Sequence, residues 1–61
     1  MDPRMKEQAY NIFLDGEWRT WAETRGELSY MEHYYKEKMP DKKITVQWLG
    51  KDGTVEDIKV L

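Results

Sequence analysis

Tyr10-Asn11-Ile12-Phe13-Leu14-Asp15-Gly16-Glu17-Trp18, residues 10–18, is the stretch that decides the fold. Tyr10, Ile12 and Leu14 alternate with Asn11 and Phe13, the period of two that marks a half-buried strand. Asp15-Gly16 then breaks the run with two residues that tolerate positive φ, among the strongest short-range signals of a tight hairpin. The chain returns from Glu17 to about Thr24, with Trp18, Thr20, Trp21 and Ala22 as its β-prone or small members. Two registers are open. A two-residue loop pairs Phe13 with Trp18 on one face, whereas a bulged three-residue loop sets Trp18 beside Leu14 and leaves Phe13 and Trp21 on the opposite face. The bulged loop is the expected one, because it gathers Tyr10, Ile12, Leu14, Trp18 and Ala22 into one apolar surface.

Working outward from this hairpin, Gly26 reads as the end of the second strand, and Ser29-Tyr30-Met31-Glu32 has the spacing of a capping box. The helix is expected to start there. Leu28, Met31, Tyr35 and Met39 fall within one arc at 100° per residue and form its core stripe. Lys36 and Lys38 suit the negative end of the helix dipole, and Pro40 closes the helix by about Lys38. Beyond the joint Asp41-Lys42-Lys43, Ile44, Val46 and Trp48 alternate with Thr45, Gln47 and Leu49 as a third strand. Gly50-Lys51-Asp52-Gly53 turns the chain, and Thr54 to Leu61 returns, with a bulge or late start expected at Glu56-Asp57. Residues 1–8 are polar, contain Pro3 and follow no period, so they read as a flexible lead-in to one domain over residues 9–61. The fold class is α+β: a small ββαββ, β-grasp-like domain with one helix packed on a four-stranded sheet.

A chain of 61 residues buries only roughly 60% of the surface it exposes when unfolded, so its core must be thin. No cysteine is present to staple it or to ligate a metal as thiolate, and this absence fits a reducing cytoplasm. Three Trp, four Tyr and one Phe supply large buried area instead. Twelve acidic against ten basic residues leave a net charge of −2 and a pI near 5.3, far from the basic footprint of a general nucleic-acid binder. The longest apolar stretches, such as Ile12-Phe13-Leu14, are too short to cross a membrane.

The inventory for catalysis is poor. His33 is the only histidine, Ser29 the only serine, and the serine is claimed by the expected cap. His33 and Glu37, one turn apart, read as a solvated pair rather than a base with its orienting carboxylate or two metal ligands. Glycines 16, 26, 50 and 53 are too dispersed to cradle a phosphate. The expectation is a protein with no enzyme activity, cofactor or metal. Lys36, Lys38, Lys42 and Lys43 could touch phosphates, and Trp18, Trp21 and Phe13 could stack on bases, but Glu17, Glu23 and Glu27 would repel a nucleic-acid backbone.

The surplus of aromatics is the stronger pointer. A lone helix covers one face of a sheet, so some of Phe13, Trp18 and Trp21 are expected outside the core, while Tyr30, His33, Tyr34 and Glu37 share the helix arc opposite the core stripe. Clustered Trp and Tyr are common anchors of protein interfaces. The candidate partner-binding residues are therefore Phe13, Trp18, Trp21, Tyr30 and Tyr34, with Glu23, Glu27 and Glu37 giving charge complementarity.

Residues 10–49, above all DGEWRTWAE, GELSYME and ITVQWLGKDG, resemble prokaryotic ubiquitin-like domains of the multiubiquitin type. That resemblance implies β-grasp topology; with no fifth strand and no Gly-Gly tail at Leu61, it does not imply conjugation through the C-terminus. The stretch GEWRTWAETRGELSYMEHYY is similar to small phage inhibitors of uracil-DNA glycosylase, which act as dimers that insert an apolar side chain into the enzyme. This second resemblance implies that Tyr30, Met31 and Tyr34 are the residues that meet a partner. The chain thus reads as a cytoplasmic module that binds a larger protein, as an inhibitor or modulator encoded by a phage or other mobile element. The alternative is a self-associating domain, a homodimer formed through its free sheet face or the edge strand from Thr54 to Leu61; binding of nucleic acid through the lysines ranks below both.

Overall fold

The computed structural model describes residues 2–59. Its elements are β1 (Ala9–Leu14), β2 (Glu17–Ala22), α1 (Arg25–Lys38), β3 (Ile44–Leu49) and β4 (Val55–Ile58). The strands form one antiparallel sheet in the order β2-β1-β3-β4, with α1 packed on one face, the ββαββ arrangement expected from the sequence. Ile12 and Val46 from the two central strands and Ala22 from β2 bury themselves against Leu28 and Tyr35 of the helix. Tyr10, Leu14, Met31, Met39, Ile44 and Ile58 line the margin of this core.

The first hairpin corrects the expected register. Asp15 and Gly16 have φ of 51° and 83°, both positive as a two-residue type I′ turn demands, and Leu14 pairs with Glu17 and Phe13 with Trp18. The irregularity lies inside the strand: Trp18 is opposite Phe13 but Thr20 is opposite Ile12, so Arg19 is the extra residue. One inserted residue resets the alternation. The turn sets Trp18 with Phe13 on the face away from the helix; past the bulge Trp21, opposite Asn11, shares that face, while Thr20 and Ala22 turn to the helix. The bulge brings Ala22 into the core without burying either large indole beneath α1.

The helix begins five residues before the expected start, with its N-cap at Thr24 and not Ser29. The Thr24 hydroxyl accepts from the Glu27 amide at 3.1 Å, and the Glu27 carboxylate reaches back to the Glu23 amide at 3.5 Å. Ser29 lies one turn inside the helix and caps nothing. Gly26 sits in the first turn instead of ending β2, a placement that costs roughly 1 kcal/mol relative to Ala. The closing end is as expected: Lys38 is the last helical residue and the Met39 amide donates to the Tyr35 carbonyl, just before Pro40.

The second face of the sheet is covered by residues 2–8, which read from the sequence as a lead-in without period. The anchor is Asn11, fully buried on β1. Its Oδ1 accepts from the Lys6 amide at 2.6 Å and from the Trp18 indole N–H at 3.0 Å, while its Nδ2 donates to the carbonyls of Lys6 at 3.0 Å and Ala9 at 3.2 Å. A buried amide is tolerated only when its donors and acceptor are engaged in this way. The Gln8 amide also donates to the Leu49 carbonyl, extending β3 by one further bond. Under this cover Ala9, Phe13 and Leu49 are buried, so the sheet has two packed faces.

At the far edge, β4 pairs with β3 from Leu49↔Val55 to Val46↔Ile58 without a shift. Of the bulge or late start expected at Glu56-Asp57, there is no bulge, and β4 starts at Val55, one residue after Thr54; an edge strand can carry two acidic residues in plain alternation with water on its open side. Asp57 accepts from Gln47 Nε2 at 2.9 Å. Val60 and Leu61, the end of the expected fourth strand, lie outside the described residues.

Candidate functional site: the outer face of the helix

The eight residues singled out from the sequence divide between two surfaces. Phe13, Trp18 and Trp21 stand on the sheet face that residues 2–8 cover. Phe13 is buried there. Trp18 is half-buried, its N–H held by Asn11 and its ring 6.0 Å from the Arg4 guanidinium carbon. Trp21 keeps 36% of its surface and has the Lys6 ammonium 5.4 Å from its ring centre. These rings are chiefly occupied in closing the second face.

Glu27, Tyr30, Tyr34 and Glu37 form the other surface. Their spacing of three, four and three residues sets them in one stripe on the solvent side of α1. Tyr30 is 74% exposed and Tyr34 47%, against 8% for Tyr35 in the core. The Tyr34 ring meets Tyr35 edge to face, centroids 5.3 Å apart and planes at 81°. Because Tyr35 is fixed by burial, this contact orients the exposed ring beside it. Glu23 precedes the N-cap and donates its amide to Glu27, so two carboxylates lie at the start of the stripe and Glu37 at its end. His33 stands next to the stripe, exposed. Among the described residues no three His, Asp or Glu side chains converge as a metal site would require.

No protein-family model, curated protein or solved structure matches the chain. The reading of the surface therefore stands on its own geometry. The carboxyls held below their usual range are all outside the stripe: Asp2 by the Arg4 side chain, Asp15 by the Lys43 amide, and Asp52 by Thr54. Each of these carboxylates ties a turn.

Lys36 and Lys38 are about 160° apart around the helix, and Lys42 pairs with Asp15 at 3.5 Å. Among the described residues no helix is long and apolar enough to cross a membrane. What the sequence reading missed is the polar seam at Asn11 and the groove between α1 and Lys59. The signal for the first was an amide placed within an otherwise apolar strand; the second depends on how far the helix leans toward β2, which no local pattern encodes.

Proposed function

We propose that the protein is a non-catalytic binding module that docks on a larger protein through Tyr30 and Tyr34, with Glu27 and Glu37 at the two ends of the contact. The observation that carries this reading is the pair of tyrosines held in water on a helix whose core is complete without them. Tyr is favoured at interfaces because it contributes large area at low rotamer entropy, and a helix fixes the spacing of such anchors. The partner surface that fits is an apolar groove with basic residues at its rim, since Glu23, Glu27 and Glu37 would otherwise face uncompensated. The likeness to the phage inhibitors supports the same pair of residues, and by that likeness docking would block or modulate the partner.

The test is a comparison of the wild-type chain with Y30A/Y34A as baits, after circular dichroism shows that both are folded. A protein retained by the wild type and lost by the double variant supports the docking face. Equal retention by both overturns it.

A further inference from the structure

We infer that the cleft between α1 and Lys59, the residue just past β4, binds a small phosphate monoester. The cleft has a volume of about 420 Å³ and is lined by Arg25, Leu28, Ser29, Glu32, His33, Lys36 and Lys59. Ligand sites for small molecules start near roughly 300 Å³, so the space is sufficient. Arg25, Ser29, Glu32 and Lys36 follow one another at intervals of four, three and four residues and make one wall of the helix; Lys59, just past β4, faces them.

The charge of this cleft is opposite to that of the chain. Among the described residues three cations, one carboxylate and His33 line it, whereas the whole protein carries −2. A second cleft of about 380 Å³, beside Trp18 and Met39, also has three cations, but Arg4 and Lys42 there are paired with Asp2 and Asp15. Among the described residues neither Arg25 nor Lys59 makes an ion pair. The Arg25 guanidinium lies 5.7 Å from the Tyr10 ring centre, and Tyr10 is itself stacked edge to face on Trp48 at 4.8 Å. A cation–π contact of this kind holds the guanidinium beside the cleft without giving it an oxygen acceptor.

Phosphate fits this donor set better than a lone carboxylate. An arginine fork, a lysine ammonium and a hydroxyl are all among the groups that line the cleft, a donor set that suits an anion with three terminal oxygens. Ser29 is available for this because Thr24 caps the helix in its place. Leu28, buried at the base, offers an apolar surface to the ester group. None of these residues belongs to the Tyr30 and Tyr34 stripe, so the site stands whether or not that stripe docks on a protein.

Amide-resolved NMR titration at low salt, with phenyl phosphate and separately with inorganic phosphate, tests the inference. Phenyl phosphate is expected to shift the Arg25, Ser29 and Lys59 signals and to bind more tightly than inorganic phosphate. R25Q and K59Q should each weaken it by about tenfold, the loss of one charge-assisted hydrogen bond. E32Q should strengthen it, since the only carboxylate among the described lining residues is removed, and K51Q in the distant β3–β4 turn should leave it unchanged. Absence of shifts in the cleft, equal binding by R25Q and K59Q, or inorganic phosphate binding as tightly as the ester would each overturn the proposal.

Discussion

Asp15 and Lys43 bind each other twice. The Lys43 amide donates to the Asp15 carboxylate at 2.8 Å, and the Asp15 amide donates to the Lys43 carbonyl at 2.9 Å. The turn that opens the sheet is thereby tied to the joint that leads from the helix into β3, 28 residues away along the chain. Lys42 adds a long ion pair to the same carboxylate at 3.5 Å.

This tie gives an acid dependence with a definite sign. The Lys43 amide holds the Asp15 carboxyl below its ordinary range, against an opposing effect of desolvation and with a lesser contribution from the Lys42 charge. The group binds its proton less readily folded than unfolded, so its stabilisation is complete above the unfolded value of about 3.9 and is lost as pH falls through the lower folded value. D15N keeps a residue suited to positive φ and an oxygen for the Lys43 amide but removes the titration. Urea midpoints measured across the acid range should fall less steeply for D15N than for the wild type; identical slopes would show that Asp15 does not couple to folding.

A second prediction concerns Asn11. Removing its side chain in N11A leaves the Lys6 amide and the Trp18 indole N–H without their acceptor on a buried face, an arrangement that costs roughly 1–3 kcal/mol. N11D retains the acceptor but sets a carboxylate against the Lys6 and Ala9 carbonyls, and is expected to be the more damaging change. Both should shift Trp fluorescence to the red as Trp18 gains water. A denaturation midpoint unchanged in N11A would contradict the role assigned to this residue.

How far the fold was legible follows from which signals are local. Asp15-Gly16, the alternation of Ile44, Val46 and Trp48, and the stop at Pro40 act within a few residues, and the structure has the hairpin, strand and helix end they imply. The face of Trp18 was not legible in this way, because Asp15-Gly16 suits both a two-residue loop and a bulged three-residue loop, and the structure takes the first with the extra residue later, at Arg19. The helix start was ambiguous: Thr24-Arg25-Gly26-Glu27 and Ser29-Tyr30-Met31-Glu32 share one capping pattern, and Gly26 argued falsely for the later one. The cover formed by residues 2–8 has no period at all and is held by one distant amide. Of the candidate site, the exposed face of the helix could be read from its angular spacing, whereas the fate of the sheet aromatics could not.

The two capping patterns are separable by substitution. T24A removes the hydroxyl that accepts from Glu27 and should cost about 1 kcal/mol. S29A replaces an exposed residue inside the helix with the best helix former and should be neutral or slightly stabilising. Thermal midpoints of the two variants decide the matter, and a larger loss for S29A would return the cap to the later position.

The tyrosines of α1 offer the sharpest division between what folds the protein and what it presents. Tyr35 closes the core against Ile12, Ala22 and Val46, so Y35A should cost about 3–5 kcal/mol, a large share of the stability of so small a domain. Y30A removes a ring that is mostly in water and should change stability by no more than about 0.5 kcal/mol. Y34A falls between them, since only its edge contact with Tyr35 is lost, worth about 0.5–1.5 kcal/mol. Chemical denaturation of the three single variants should give this order. If Y30A proved as costly as Y35A, Tyr30 would be part of the packing and not an anchor held out for a partner.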